Sequence, residues 1–411
     1  MVLINADLHL HSRFSGGTSA DMDASHLASW GEKKGLDLVG TGDCTHPVYR
    51  RMLKEELKEE NEGIYRHAQS GSRLIYTTEV EDAHRVHHVI LLPSADAADE
   101  FSEQLAKHAD LSIDGRPHVK LEAAEVVDAV ESVGGLIGPS HAFTPWTSIY
   151  KEHGSLLDCY GTAKRHISFV ELGLSSDTDL ADRIEELTHF SFLTASDSHS
   201  PQPHRLGREF TQFEVKEVSF PELAKAFKRE GGRKITLNAG LNPREGKYHL
   251  TACTRCYKKY RLPDAATLKY RCPICKGLIK KGVLDRINEL ASWDTPHHPQ
   301  WRPPYKHILP LHEAIALAKG IRNAASKKVG DEWVRLTGKL GSEINVLLYV
   351  PLDDIRVLSP DVASVIQRLR NDSLQYVAGG GGQYGRPTLT GERDDFYGLG
   401  QKSLLEYNET I

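Results

Sequence analysis

No stretch of the 411 residues is apolar and long enough to cross a bilayer, and no basic-then-apolar segment opens the chain. Both absences point to a cytoplasmic protein with no membrane partner. Cysteine is scarce, with six residues, which is too few for the disulfide framework of a small secreted domain. No internal repeat is present, so the length reads as two or three separate domains, each able to bury a core. The apolar and charged fractions, 39% and 26%, are ordinary for a soluble protein.

Four of the six cysteines fall in one pattern. Cys253 and Cys256 form one CxxC knuckle, Cys272 and Cys275 another, with fifteen residues between them. That spacing reads as a structural zinc ribbon; a redox pair is the alternative, and tandem knuckles argue against it. Cys44 and Cys159 have no such partners. Charge is uneven around the ribbon. Residues 225–286 hold 17 Lys and Arg against 4 Asp and Glu, a local +13 within a chain of −5, so the remainder carries −18. The segment includes Lys258, Lys259, Arg261, Lys280 and Lys281, interleaved with tyrosines. Such a patch suits a nucleic-acid backbone, where each neutralised phosphate releases counterions.

Histidines supply the chemistry. His9 and His11 stand at i and i+2 on a strand-like run, so both rings point one way. Neutral imidazole ligates zinc and similar ions. Further apolar runs each end or begin in a ligand-type side chain: Asp43 after 39–42, Glu79 after 74–78, His87 and His88 before 89–92, His141 after 136–140, and Asp197 and His199 after 192–196. Strands that each deliver a ligand describe a parallel barrel with its ligands gathered at the C-terminal rim.

The order His-x-His, Asp, Glu, His, His, Asp-x-His over residues 1–230 resembles the PHP superfamily. The resemblance implies a distorted (β/α)7 barrel and a centre of two or three divalent ions, zinc or else magnesium or manganese, that hydrolyses phosphoesters. By that resemblance His9, His11, Glu79 and Asp197 hold one ion. A second shares Glu79 and takes His141 with one of the 87/88 pair, His88 being preferred because it stands directly before the apolar run. Asp43 and His199 serve a third site, for which Cys44 and His46 are substitute ligands. Glu79, Asp197 and His199 are the expected catalytic residues. A metal pair lowers the pKa of water towards about 7 and neutralises charge on a phosphoryl group.

Helical patterns at 24–35, 98–109, 122–134, 179–188 and 220–229 alternate with the strands, as an α/β fold requires. Residues 231–249 read as a linker and 250–282 as the ribbon. A small α+β domain over 283–392 is expected to contain helices at 311–327 and 360–370, a strand at 345–350, and a glycine run at 378–386 suited to close approach to a phosphate or base. Tyr384 and Arg386 in that run are candidate DNA contacts. Barrel, ribbon and glycine-rich domain in this order resemble the endonuclease Q family. The matching motifs are Asp7 to Ser15, residues 78–81, residues 196–199, both knuckles and residues 379–386. That resemblance implies nicking of DNA on the 5′ side of deaminated bases (uracil, hypoxanthine, xanthine) and abasic sites. The tail, 393–411, carries Gln401, Leu404 and Tyr407 in the spacing of a sliding-clamp-binding box. Two other readings account for part of the pattern: a small-molecule phosphatase of the histidinol-phosphate type, and a nucleic-acid-binding protein with an inactive barrel.

Overall fold

The computed structural model describes residues 1–68 and 71–397. Its barrel runs through the strands Val2–Asp7, Leu38–Gly40, Arg73–Ile75 continuing as Thr77–Glu81, His87–Leu91, Leu136–Pro139, Val170–Glu171 and Phe192–Leu193. Ser168 N–H donates to Ile137 O, joining the fifth strand to the sixth, and the parallel bridge between Leu10 and Ser198 closes the last strand on the first. This is the distorted seven-stranded α/β barrel expected from the sequence. One strand breaks the parallel rule: His87–Leu91 runs antiparallel to both neighbours. Its cross-strand register, Glu79 against Val89 and Glu81 against His87, decides which imidazole of the pair joins the site.

Helices Ala24–Lys34, Ala95–Leu105, Ala123–Ser132 and Phe220–Lys228 form where their periodicity predicts. Their ends are set locally. Asp23 accepts from His26 N–H at the start of the first, and Gly35 ends it in a left-handed conformation, φ 90°. The helix expected at 179–188 is instead a short turn, Thr178–Ala181, followed by a 3₁₀ segment, Glu185–His189.

The segment expected as a linker is part of the sheet. Phe210–Val215 pairs antiparallel with both Val2–Asp7 and Lys234–Gly240, and Tyr305–His307 adds parallel to the latter. Alternation of Ile235, Leu237 and Ala239 carries that strand, and the flanking glycines and proline obscured it. The ribbon follows as two short antiparallel strands, Ala252–Cys253 and Ile279–Lys280, bracketing helix Leu262–Thr267.

The C-terminal domain is mostly helical: Leu311–Ala318, Lys327–Leu340, Glu343–Leu348, Leu352–Leu358 and Pro360–Arg370, with a hairpin of Gln375–Val377 and Arg386–Thr388. Residues 345–350 were expected as a strand. A short apolar run cannot distinguish strand from buried helix, and here Ser342 caps a helix by accepting from Asn345 N–H. Ile315, Trp333, Leu336, Ile355, Val362 and Ile366 form the core of this domain. It is tied to the barrel by Lys34, fully buried, whose Nζ meets Glu343 Oε1 at 2.6 Å. Among the described residues no helix is long and apolar enough to cross a membrane.

Two buried histidines weaken this fold in acid. Burial pushes the pKa of His249 and of His312 down to about 4. Between about 4 and 6.5 the unfolded chain binds protons that the folded chain refuses, so stability falls as pH drops through that window. Each site contributes up to roughly 3 kcal/mol. Denaturant midpoints measured from pH 7 to 4.5 should fall steeply, and the double variant His249→Gln, His312→Gln should show a shallower fall.

Candidate active site

Glu79 stands at the centre, fully buried. Its Oε1 lies 3.5 Å from His9 Nε2, 3.0 Å from His87 Nδ1 and 3.0 Å from His141 Nε2. Its Oε2 lies 3.4 Å from His11 Nε2 and 3.4 Å from Arg116 Nη1. Asp197 Oδ1 approaches His11 Nε2 at 3.2 Å and His9 Nε2 at 3.9 Å. His199 packs on the His11 ring, centroids 4.5 Å apart. Its Nδ1–H donates to the Asp197 carbonyl at 3.1 Å, which leaves Nε2 with a lone pair to offer. These side chains form three overlapping ligand groups: His9, His11 and Glu79; Glu79, His87 and His141; His11, Asp197 and His199.

The donor set fits metal ions. His9 Nε2, His11 Nε2 and His87 Nδ1 are buried without a hydrogen bond of acceptable geometry. Orphaned buried nitrogens are costly, and here all three converge on the same carboxylates. The far nitrogen of each ring is held. His9 donates Nδ1–H to both Glu171 oxygens at 2.9 Å. His11 donates to Asp43 Oδ1 at 3.1 Å and His87 to Glu81 Oε2 at 2.8 Å. Such carboxylate partners fix tautomer and ring orientation in metal sites.

Two sequence expectations are corrected. His88 does not reach the cluster; Asp82 and Tyr160 take both its ring nitrogens, at 3.1 and 2.8 Å. The strand register places His87 on the Glu79 face and turns His88 away. Asp43 is not free to ligate either. His11 occupies Oδ1, while the backbone and hydroxyl of Ser12 and the Ser15 hydroxyl occupy Oδ2. It orients His11. Cys44 and His46, considered as substitutes, are outside the ligand groups. Glu171 was missed, although it ends an apolar run at 167–170 just as the recognised ligands do.

Electrostatics favour cations. Burial pulls the His9 pKa down, but Glu171 and Glu79 outweigh it and hold it well above the ordinary value. Burial likewise opposes His11, whose bonds to Asp197 and Asp43 lift it to about 9. Against burial, His87, His9 and His141 hold Glu79 well below the usual carboxylate range. Metal ions entering such a field displace protons. The backbone is strained around the site: Asp43, His141 and Asp197 all have positive φ, 46°, 30° and 47°.

A cleft of about 450 Å³ opens beside this cluster. His141, Asp197 and His199 form its floor; Arg205, Arg208, Lys247, Tyr248 and Tyr384 line its walls. Tyr384 comes from the glycine run, whose close approach is to protein. Gly379 N–H donates to Arg244 O, Gly382 N–H to Lys247 O and Gly385 N–H to Glu245 O, at 2.7 to 2.9 Å. A Cβ at Gly385 would lie 2.0 Å from Arg244 O. Of the other expected DNA contacts, Lys258 and Lys259 pair with Asp395 and Asp394, Lys281 with Glu289, and Arg386 with Glu392. Arg261 lies at the start of the ribbon helix, and Lys280 lies over Trp146. The four ribbon thiols lie within 4.8 Å of one another, as one metal ion requires. Gln401, Leu404 and Tyr407 lie outside the described residues.

A seven-stranded barrel with a buried imidazole–carboxylate cluster open to a basic cleft defines a metal-dependent phosphoester hydrolase. Solved structures narrow the class. The chain is similar to the lesion-specific endonuclease PfuEndoQ from Pyrococcus furiosus, with TM-score 0.89 and 47% identity over 95% of this chain and 96% of that one. Endonuclease Q in complex with a 27-mer duplex carrying an abasic lesion at its active site matches at TM-score 0.90 and 47% identity, over 95% and 97%. The uncharacterized protein YqxK of Bacillus subtilis is 32% identical over 94% of this chain and 99% of its own length. MJ0043 of Methanocaldococcus jannaschii is 44% identical over 62% of this chain but 32% of its own length, so this chain spans about a third of that relative. The model of the MJ0043 C-terminal domain matches residues 310–373, the helical region described above. The chain belongs to the endonuclease Q family.

Experiment can separate the two adjacent histidines. Elemental analysis of His87→Ala should find less barrel metal than in the parent. His88→Ala should keep the full metal content and instead lose about 2 kcal/mol of stability, because it strands Asp82 and Tyr160.

Proposed function

We propose that this chain is a DNA repair endonuclease that hydrolyses the phosphodiester 5′ to deaminated bases (uracil, hypoxanthine, xanthine) and abasic sites. The observation that carries the reading is the cleft, in which two tyrosines and three basic side chains share walls with His141, Asp197 and His199. A phosphodiester there faces the ligand cluster, while the adjacent nucleotide fits between aromatic and cationic walls. Extruding a nucleotide into such a space is easiest where it is mispaired or lacks a base.

His9, His11, Glu79, His87, His141, Asp197 and His199 would hold two or three divalent ions, zinc or else magnesium or manganese. When bound, such ions polarise a phosphodiester and lower the pKa of water. Glu79 would contribute its carboxylate at the centre of that set. Arg116, beside its Oε2, adds positive charge next to the phosphoryl site. Glu171, Asp43 and Glu81 hold the imidazoles in register. Cys253, Cys256, Cys272 and Cys275 would hold a structural zinc, seating the basic ribbon against the barrel. A cytoplasmic location goes with this reading.

A small-molecule phosphatase would have no use for the ribbon or the cleft walls contributed from outside the barrel. End-labelled duplexes with one altered base, resolved to the nucleotide, should show a single 5′ nick with the base retained. Asp197→Ala should lower nicking by at least about 10²-fold while duplex binding persists. Release of free uracil, or turnover of p-nitrophenyl phosphate without nicking, would count against the assignment. Binding should weaken steeply with salt, since it rests on phosphate contacts.

Gln401, Leu404 and Tyr407 would dock on a sliding clamp, with Leu404 and Tyr407 on one face of a helical turn. Clamp titrated against the full chain and a version ending at Gly400 should bind the former more tightly. Equal affinity would remove the tail from the account.

A further inference from the structure

An exposed tryptophan stands beside the cleft. Trp146 is the one exposed tryptophan of five, 48% exposed. It lies five residues beyond His141 on a loop fastened to the metal-ligand groups. Thr144 Oγ1 donates to Trp146 O at 2.8 Å and lies 3.3 Å from His141 Nδ1. His87 N–H donates to Thr147 O at 3.1 Å. Thr147 itself has φ 48°, an uncommon conformation for a β-branched residue. Strain of that kind persists where surrounding structure imposes it, and it concentrates at functional sites.

The ring sits beside the cleft without lining it. Tyr248, a cleft wall, meets it edge-on at 6.2 Å between centroids. Lys280 of the ribbon places Nζ 3.7 Å from the ring centroid. One face of a large planar side chain is thus capped by a cation from the basic segment, and the residue remains about half open beside the site of cleavage. A side chain meant only to seat the ribbon would be buried by it. A rigid aromatic ring next to a nucleotide-sized cleft has the properties of a stacking platform or wedge.

We propose that Trp146 is a positioning residue that stacks on the base pair flanking the extruded nucleotide and holds the gap open, with Lys280 turning to the adjacent phosphate. This rests on the cleavage reading above. The platform does not touch the reacting atoms. It replaces stacking lost when the nucleotide leaves the helix, so its contribution depends on whether the lesion begins stacked and paired.

The test compares one lesion in two settings: uracil in a continuous duplex, and the same uracil within an unpaired bubble. Trp146→Ala should lose roughly tenfold in kcat/KM on the duplex, the scale of one base–aromatic stack, and stay close to the parent on the bubble. Trp146→Phe should recover much of the duplex rate. Zinc content and thermal midpoint of the variants show that the ribbon remains seated. Equal losses on the two substrates would make Trp146 a packing residue, and no loss on either would remove it from the mechanism; both outcomes overturn the proposal. A parent enzyme that nicks no lesion would overturn the functional reading as well, whereas a parent that nicks normally confines the failure to Trp146.

Discussion

A single buried carboxylate organises the molecule's chemistry. Glu79 is removed from water and approached by four imidazoles and a guanidinium carried on four segments of the chain. An isolated ionised carboxylate in that position would be prohibitively costly to bury. It is tolerable because each neighbour offers positive charge or can share a cation with it. The same neighbours would repel one another without the carboxylates among them. Barrel closure, the antiparallel course of His87–Leu91 and the strained turns at Asp43, His141 and Asp197 all bring these groups to one point.

Around that point lies a ring of carboxylates that do not face the centre. Asp43, Glu81 and Glu171 each hold the outer nitrogen of one histidine. Glu171 also accepts from the backbone N–H of His141, at 2.8 Å. It therefore aligns residues from the first and fifth strands of the barrel with one side chain. Orientation is set before any ion binds, so little reorganisation remains for the loaded site.

Much of this was legible in the sequence because barrel strands announce their ligands. Apolar runs ending in His, Glu or Asp located His9, His11, Glu79, His141, Asp197 and His199, and the paired knuckles located the ribbon. Ligation versus support was harder to read. Asp43 sits where a ligand would, and only the structure shows Oδ1 engaged by His11 and Oδ2 by the Ser12 and Ser15 hydroxyls. The His87 and His88 choice turned on strand direction. Proximity to an apolar run favours His88, whereas an antiparallel register presents His87. Arg205, Arg208, Lys247 and Tyr248 carry no motif, since their role arises from the meeting of three distant segments. At 345–350 the apolar run had no period long enough to reveal a helix.

The glycine run, suited by its sequence to close backbone approach, lies against protein backbone. Residues 379–385 dock along 244–250, so that Tyr384 from the C-terminal hairpin and Lys247 from beside the ribbon stand over a floor supplied by the barrel. The cleft is therefore a property of assembly. No one region contains it, and a shift of the hairpin or the ribbon changes its shape without moving a single ligand. Floor and part of the walls are thereby supplied by different parts of the chain. The barrel can be held constant while the hairpin drifts, so the walls can change through a segment more than 170 residues beyond His199.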